Sequence, residues 1–235
     1  MEAFIQVLES TIAVRDPYTV GHQRRVTQIA SAIGRHMGLP ADRLRDLRIA
    51  GMLHDLGKIA IPSGLLAKPG TLNPSEFALL KTHPQVAYNI LKPINLPGFT
   101  AEIILQHHER LNGTGYPQGL RGHEILLEAR ILGVADVMEA MCSHRPYRAS
   151  RGLTETLQEL TQYIGILYDA VVVETSLNLF GPNLTATSAG TAGLTSTAVS
   201  QPHYLALFND VAPTQPGSLS GEGQPLAGNL GLQPF

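Results

Sequence analysis

The sequence predicts an all-α domain over residues 1–180, compact and helical, followed by a disordered tail over residues 181–235. Three observations carry this expectation. Apolar residues recur at helical spacing in segment after segment, no strand-like alternation is long enough to build a sheet, and the composition changes after Phe180. From Gly181 onward the chain is rich in Gly, Pro, Ser, Thr and Ala, and its only charged side chains are Asp210 and Glu222. Such a stretch lacks the apolar surface to offset the entropy of ordering it. Its single apolar run, Tyr204 to Phe208, reads equally as a docking segment or as a chance feature of a linker.

In chain order, Phe4 to Val14 is a helix that Asp16-Pro17-Tyr18-Thr19 breaks while starting the next. In that second helix His22, Val26, Ile29 and Ile33 form one stripe, so His22 faces the core. Gly38-Leu39-Pro40 ends it and opens a helix expected to run from Pro40 to Leu56, carrying His54 and Asp55 inward until Gly57 stops it. Ile59 to Gly70 reads as a loop. Asn73-Pro74-Ser75-Glu76 is a start signal with Asn as N-cap, Pro at the first helical position and Glu three residues after the cap. That helix is expected to end at His83, with Pro84 forcing the boundary. Pro93 to Gly98 is a turn. A helix from Thr100 or Ala101 then places His107 and His108 above Ile103 and Ile104. Glu109 to Pro117 is a glycine-punctuated loop able to approach a ligand closely. A helix from about Leu126 to Met141 carries Asp136. A last helical stretch, Thr154 to Phe180, has an interruption at Tyr163 to Asp169 that allows two helices.

Composition excludes several functions. With 235 residues, 43% hydrophobic and 15% charged, and a formal net charge of -2, the chain has no electrostatic footprint for a nucleic-acid duplex or an anionic membrane. One cysteine, Cys142, permits neither an internal disulfide framework nor a thiolate zinc site. Met1 is followed by no basic segment with a long apolar run, so the expected location is cytoplasmic.

Five of the nine histidines, His22, His54, His83, His107 and His108, fall on inward faces or ends of separate predicted helices, joined there by Asp55 and Asp136. A buried charge requires a partner or a metal, and this number of inward polar groups exceeds what satisfied core residues account for. Five imidazoles and two carboxylates also exceed the coordination of one ion. N/O ligation without thiolate favours iron, manganese, zinc or cobalt, and a dinuclear centre is the economical reading. Two such ions about 3.5 to 4 Å apart suit in-line displacement at phosphorus, so the expected chemistry is phosphoester hydrolysis.

These residues resemble the HD-GYP branch of the HD phosphohydrolase superfamily, associated with bacterial cyclic di-GMP, over roughly Glu9 to Phe180. The His54-Asp55 pair with Gly57-Lys58 is similar to its HD motif. His107-His108-Glu109 with Gly113, Gly115, Tyr116 and Pro117 is similar to its GYP signature. Gly21-His22, Asp136 and Arg145-Pro146-Tyr147 complete the series in the right order. The resemblance implies a compact HD-type helical bundle around a buried centre of two divalent ions, iron or manganese. It assigns metal binding to His22, His54, Asp55, His83, His107, His108 and Asp136, the set the helical stripes select. It gives catalytic roles to Asp55 and to Lys58, beside the attacking water and the scissile phosphate. Gly113, Gly115, Tyr116 and Pro117 are expected to shape the substrate loop, and Arg145 and Arg148 to hold phosphates. For Tyr116, packing on a guanine and anchoring the loop remain equally open.

The implied activity is hydrolysis of cyclic di-GMP to pGpG, with further cleavage to GMP open. Another cyclic dinucleotide, or a non-catalytic dinucleotide-binding or scaffolding module, is the competing reading. Expected partners are the cyclic dinucleotide, without duplex or membrane, and a second copy, a diguanylate cyclase or a regulatory protein. Departures from the family pattern are Tyr18 where some members place a third-metal Glu, which implies two metals, and Asn112, Glu139 and His144 where Asp is common. Leu167-Tyr168-Asp169-Ala170 also replaces a frequent His-Phe-Asp-Pro. His36, His123, His144 and His203 match no ligand position and are expected at the surface.

Overall fold

A computed structural model describes residues 17–94, 96–143 and 150–181, together with Ile5, Val7, Leu8, Ser10 and Thr11; residues 17–20 are described by backbone alone. The expected tail beyond Gly181, with Tyr204 to Phe208, lies outside the described residues, as do Arg145, Arg148, His144 and His203. Ile5, Val7, Leu8, Ser10 and Thr11 are helical, and Ile5 is buried. The longer elements are α1 (Pro17–His36), α2 (Ala41–Leu53), α3 (Ser63–Leu66), α4 (Pro74–Leu80), α5 (His83–Leu91), α6 (Thr100–Gln106), α7 (Leu127–Cys142), α8 (Gly152–Gln162) and α9 (Ala170–Phe180). A 3-10 turn, Leu56–Ala60, follows α2. Among the described residues there is no strand, only isolated bridges between Asn112 and Arg121 and between Ile164 and Tyr168. None of the described helices is long and apolar enough to cross a membrane.

The core forms around α7. That helix is apolar on nearly every face, and nearly all its residues are buried, which places it centrally rather than on the surface. Helix α1 packs against α2 and α7, α5 against the 3-10 turn and α6, and α8 and α9 close the far side. Val26, Ile29, Ile33, Leu47, Leu53, Ile103, Ile104 and Leu132 meet at its centre with essentially no exposure.

Three expected boundaries move, each for a local reason. The helix expected to reach Leu56 ends at Leu53, and His54 and Asp55 lie in the turn that follows, Asp55 at φ -92° and ψ 3°. Successive side chains on a helix diverge, and leaving the helix allows these two to converge. Gly57 does not merely stop a helix. A Cβ there would lie 1.9 Å from the His83 carbonyl oxygen and 2.8 Å from the Ala87 nitrogen, so its lack of a side chain lets α5 close on the turn. His83 begins α5 rather than ending α4, and Pro84 occupies the second helical position, where a missing N–H costs nothing. The region read as a loop, Ile59 to Gly70, includes the end of the 3-10 turn and the one-turn helix α3. The Asn73 signal works as expected, because Asn73 Oδ1 accepts from Glu76 N and the Glu76 carboxylate accepts from Asn73 N. The interruption at Tyr163 to Asp169 does separate two helices, and Asp169 caps the second by accepting from Val171 N and Val172 N.

Candidate metal centre

Helices α1, α2, α5, α6 and α7 direct His22, His54, His83, His107, His108, Asp55 and Asp136 to one buried point, each less than a tenth exposed. Three of these imidazoles are set by the same device. His54 Nδ1 donates to Gly51 O at 2.8 Å, His83 Nδ1 to Leu80 O at 2.8 Å and His107 Nδ1 to Ile104 O at 2.6 Å. Each acceptor is a carbonyl three residues earlier, among the orphan carbonyls at a helix end. A carbonyl only accepts, so Nδ1 carries the proton and the Nε2 lone pair points inward. A histidine just past a helix end is therefore oriented by the helix it leaves.

The candidate ligand atoms gather in two groups. His83, His107 and His108 place one nitrogen each within 4.8 Å of one another, and so do His22 and His54 with a carboxylate oxygen of Asp136. In the first group His83 Nε2, His107 Nε2 and His108 Nδ1 are buried with no hydrogen-bond partner, a costly state for three polar atoms. In the second, His22 Nε2 lies 3.2 Å from Asp136 Oδ1 and 3.3 Å from His54 Nε2. Asp55 stands between the groups, with Oδ1 3.6 Å from His83 Nε2 and Oδ2 3.6 Å from His54 Nε2 and 3.7 Å from His22 Nε2. Orphaned imidazole nitrogens facing a buried carboxylate fit the binding of divalent metal ions.

The electrostatics agree with that reading. Burial pushes His83 down to about 4 and His107 down to about 3, and it also holds His108 well below the usual histidine range, so all three are neutral and able to ligate at neutral pH. Burial works against the charge on Asp55 as well. Charged neighbours, the Lys58 ammonium foremost, more than offset it, keeping the carboxyl ionised. Lys58 Nζ donates to Asp55 Oδ2 at 2.8 Å, and the side chain is one fifth exposed. His22 behaves differently. Burial disfavours its cation, yet the hydrogen bonds to Asp136 and Glu139 raise it to about 9. In the metal-free protein His22 is an imidazolium, and an ion bound at Nε2 would replace its second proton.

Glu139 stands out in the sequence only as a position where Asp is common, and the structure gives it a role that the sequence does not. It is 1% exposed, Oε2 accepts from His22 Nδ1, and Oε1 accepts from Arg25 Nε at 2.7 Å and from the Ser143 hydroxyl at 2.5 Å. A carboxylate that takes the outer N–H of a ligating histidine fixes its tautomer and aim. The available signal was its place on α7, nearly one turn after Asp136 on the same face.

Of the expected substrate residues, Tyr116 covers the cluster, stacked on His108 with ring centroids 4.7 Å apart. Gly115 lets the loop fold over the histidines, since a Cβ there would fall 2.5 Å from His108 O. Gly113 lies against the Arg121 side chain, and Pro117 is exposed. Glu109 holds this loop in place, its carboxylate accepting from the backbone N–H groups of Gln118, Gly119 and Leu120. Asn112, where Asp is common in the resembled family, makes the turn itself by accepting from Thr114 N and Oγ1. His36 and His123 are exposed, as expected. The side chain of Tyr18 lies outside the described residues.

Comparison with known proteins gives a consistent picture. The family model described as HD domain matches residues 6–172. A cyclic di-GMP phosphodiesterase of Thermotoga maritima is 40% identical over 177 residues, covering 74% of this chain and 48% of its own. A 3'3'-cGAMP-specific phosphodiesterase of Vibrio cholerae is 35% identical, covering 67% of this chain and 34% of its own. The chain thus spans about half the length, or less, of the curated relatives it matches. Among solved structures, an HDG"Y"P protein from Bdellovibrio bacteriovorus superposes with a TM-score of 0.57 at 22% identity, over 67% of this chain and 50% of its own, a likeness of fold.

Proposed function

The chain belongs to the HD domain family, and from that premise we propose that it is a metal-dependent phosphodiesterase that opens cyclic di-GMP to the linear dinucleotide pGpG. One observation carries this most directly. Two groups of inward nitrogen and oxygen atoms are divided by the Asp55 carboxylate, and three buried imidazole nitrogens have no partner in the protein. We assign His83, His107 and His108 to one ion and His22, His54 and Asp136 to the other, with Asp55 shared. Iron or manganese suits this oxygen and nitrogen set. Such ions supply Lewis acidity toward a phosphodiester and activate water.

The protein's own part is positioning. The carbonyls of Gly51, Leu80 and Ile104 aim three imidazoles, and Glu139 aims a fourth. Lys58 sits at the partly exposed edge of the cluster, where an ammonium meets the charge that develops as the ester bond breaks. Arg145 and Arg148 are proposed to bind phosphates from the segment after α7. Residues 1–180 are proposed as the catalytic domain, with the remainder a tail. A second reading, cleavage of 3',3'-cyclic GMP-AMP, is favoured by the Vibrio cholerae relative, a phosphodiesterase named as specific for that dinucleotide. A second copy, a cyclase or a regulatory protein as partner belongs to this proposal too. The test is turnover of cyclic di-GMP and cyclic GMP-AMP by manganese- or iron-loaded protein. Loss of turnover in the His54→Ala/Asp55→Ala variant supports the reading, and equal turnover in that variant refutes it.

A further inference from the structure

Beside the histidine cluster stands a group of side chains that the metal chemistry leaves unused. Tyr116 covers His108, and its ring lies 6.4 Å from that of His83. Phe77 of α4 meets Tyr116 edge to face, with centroids 6.4 Å apart and planes at 83°. Lys81, at the end of α4, holds its ammonium 5.1 Å from the Phe77 centroid and 6.0 Å from that of Tyr116. All three residues are partly exposed. Lys58 and Lys68 pair with Asp55 and Glu76, whereas no carboxylate of the described residues lies within 4 Å of the Lys81 ammonium. An accessible cation held over two aromatic rings is free to give its N–H groups to an incoming acceptor.

The platform is also held rigidly. The Asn73 and Glu76 capping box and the Lys68 to Glu76 ion pair fasten the start of α4. Tyr116 N donates to His108 O at 3.3 Å, and the Glu109 carboxylate holds the three backbone N–H groups that follow. A rigid aromatic surface binds a planar base at low entropic cost, and such stacking tolerates any base. Lys81 adds a preference. Its donors complement the O6 and N7 acceptors of guanine, whereas adenine places an N6 donor in the position of O6.

Resting on the reading of the chain as a cyclic-dinucleotide phosphodiesterase, we infer that Phe77, Tyr116 and Lys81 form a guanine-selective base subsite. It receives one nucleobase while the phosphodiester lies on the metal centre, with the base stacked on Phe77, Tyr116 standing across it as a near-perpendicular apolar wall, and Lys81 turning its ammonium to the base edge. This extends the substrate site from the glycine-rich loop to α4, which carries no expected ligand.

The experiment compares manganese-loaded wild type, Phe77→Ala and Lys81→Met on cyclic di-GMP, cyclic di-AMP and the base-free diester bis(p-nitrophenyl) phosphate, with metal content measured on each sample. For Phe77→Ala the ratio of kcat/KM on cyclic di-GMP to that on the base-free diester falls at least about tenfold, mainly through KM, as loss of a stacking partner requires. For Lys81→Met the preference for cyclic di-GMP over cyclic di-AMP falls about tenfold. Wild-type ratios in both variants overturn the subsite. So does an equal loss on all three substrates, which reports damage to the metal centre. If the wild type cleaves the base-free diester but no cyclic dinucleotide, the functional reading fails by itself. The subsite is then judged by equilibrium binding of GMP and AMP to the same proteins, where Phe77→Ala must still weaken both and Lys81→Met must remove a preference for GMP.

Discussion

Replacing Glu139 by Ala tests whether a residue that touches no expected ion nevertheless sets the metal affinity. The carboxylate engages three donors, namely His22 Nδ1, Arg25 and the Ser143 hydroxyl, in a setting that is 1% exposed. Without it His22 loses the acceptor that fixes its tautomer. Loss of such an outer partner costs about 10- to 100-fold in metal affinity, or about 1.4 to 2.7 kcal/mol at about 1.36 kcal/mol per decade. Arg25 loses its carboxylate at the same time. Because the Arg25 side chain is 27% exposed and can turn to water, the added cost to folding is nearer about 2 kcal/mol than the 3 to 5 typical of a fully buried broken pair. The assay is competition titration of manganese against a chelator, read as two successive affinities. The group of His22, His54 and Asp136 weakens, and the group of His83, His107 and His108 keeps its affinity. Glu139→Asp, which retains the carboxylate, recovers part of the loss. Wild-type affinity at both positions in Glu139→Ala refutes the argument, and equal weakening at both shows that the two groups do not act as separate halves.

Three further outcomes follow from the same geometry. Lys58→Met is expected to lower kcat on cyclic di-GMP about 100- to 1,000-fold, the range for losing one charge-stabilising donor, while elemental analysis still finds the metal; unchanged kcat removes Lys58 from the chemistry. Gly57→Ala forces a Cβ onto the backbone of α5, so unfolding by calorimetry should show a loss of about 1 to 3 kcal/mol or more, with weakened binding in the His83 group. Chelator-treated protein should lose stability on both sides of neutrality. The folded-state values of His83 and His107, about 4 and about 3, lie below the ordinary 6.5, so the unfolded chain takes up protons first and stability falls as pH drops from about 6.5 through 4. His22, raised to about 9, contributes fully below 6.5 and loses its contribution as pH rises through 9. A flat melting temperature across pH 4 to 9 in the metal-free protein contradicts both shifts.

The inward stripes legible in the sequence select the seven residues that the structure brings together, because helical periodicity alone decides which side of α1, α6 or α7 a residue takes. Their division into two groups was not legible. It depends on Asp55 leaving the helix, and the period of Leu47 and Ala50 continues smoothly through His54 and Asp55. In the sequence Pro84 reads as a terminator, although a proline in a first turn fits equally well, and the choice rests on α5 packing against the 3-10 turn at Gly57. Glu139 and Glu109 act through other residues. A sequence marks such groups only as polar positions on apolar faces, and the glycine-rich loop gives no periodicity to reveal what Glu109 holds. Phe77 and Lys81 lie far from the histidine motifs along the chain, and only the turn of α4 onto the loop brings them beside Tyr116.

The central claim is a two-ion centre shared through Asp55, and metal stoichiometry tests it most directly. Protein reconstituted anaerobically with iron, or with manganese, and freed of excess metal should hold about two equivalents. His107→Ala and His22→Ala should each lose about one of these, and Asp55→Ala should weaken both. A single equivalent in the wild type, or two that survive unchanged in Asp55→Ala and His107→Ala alike, would contradict the account.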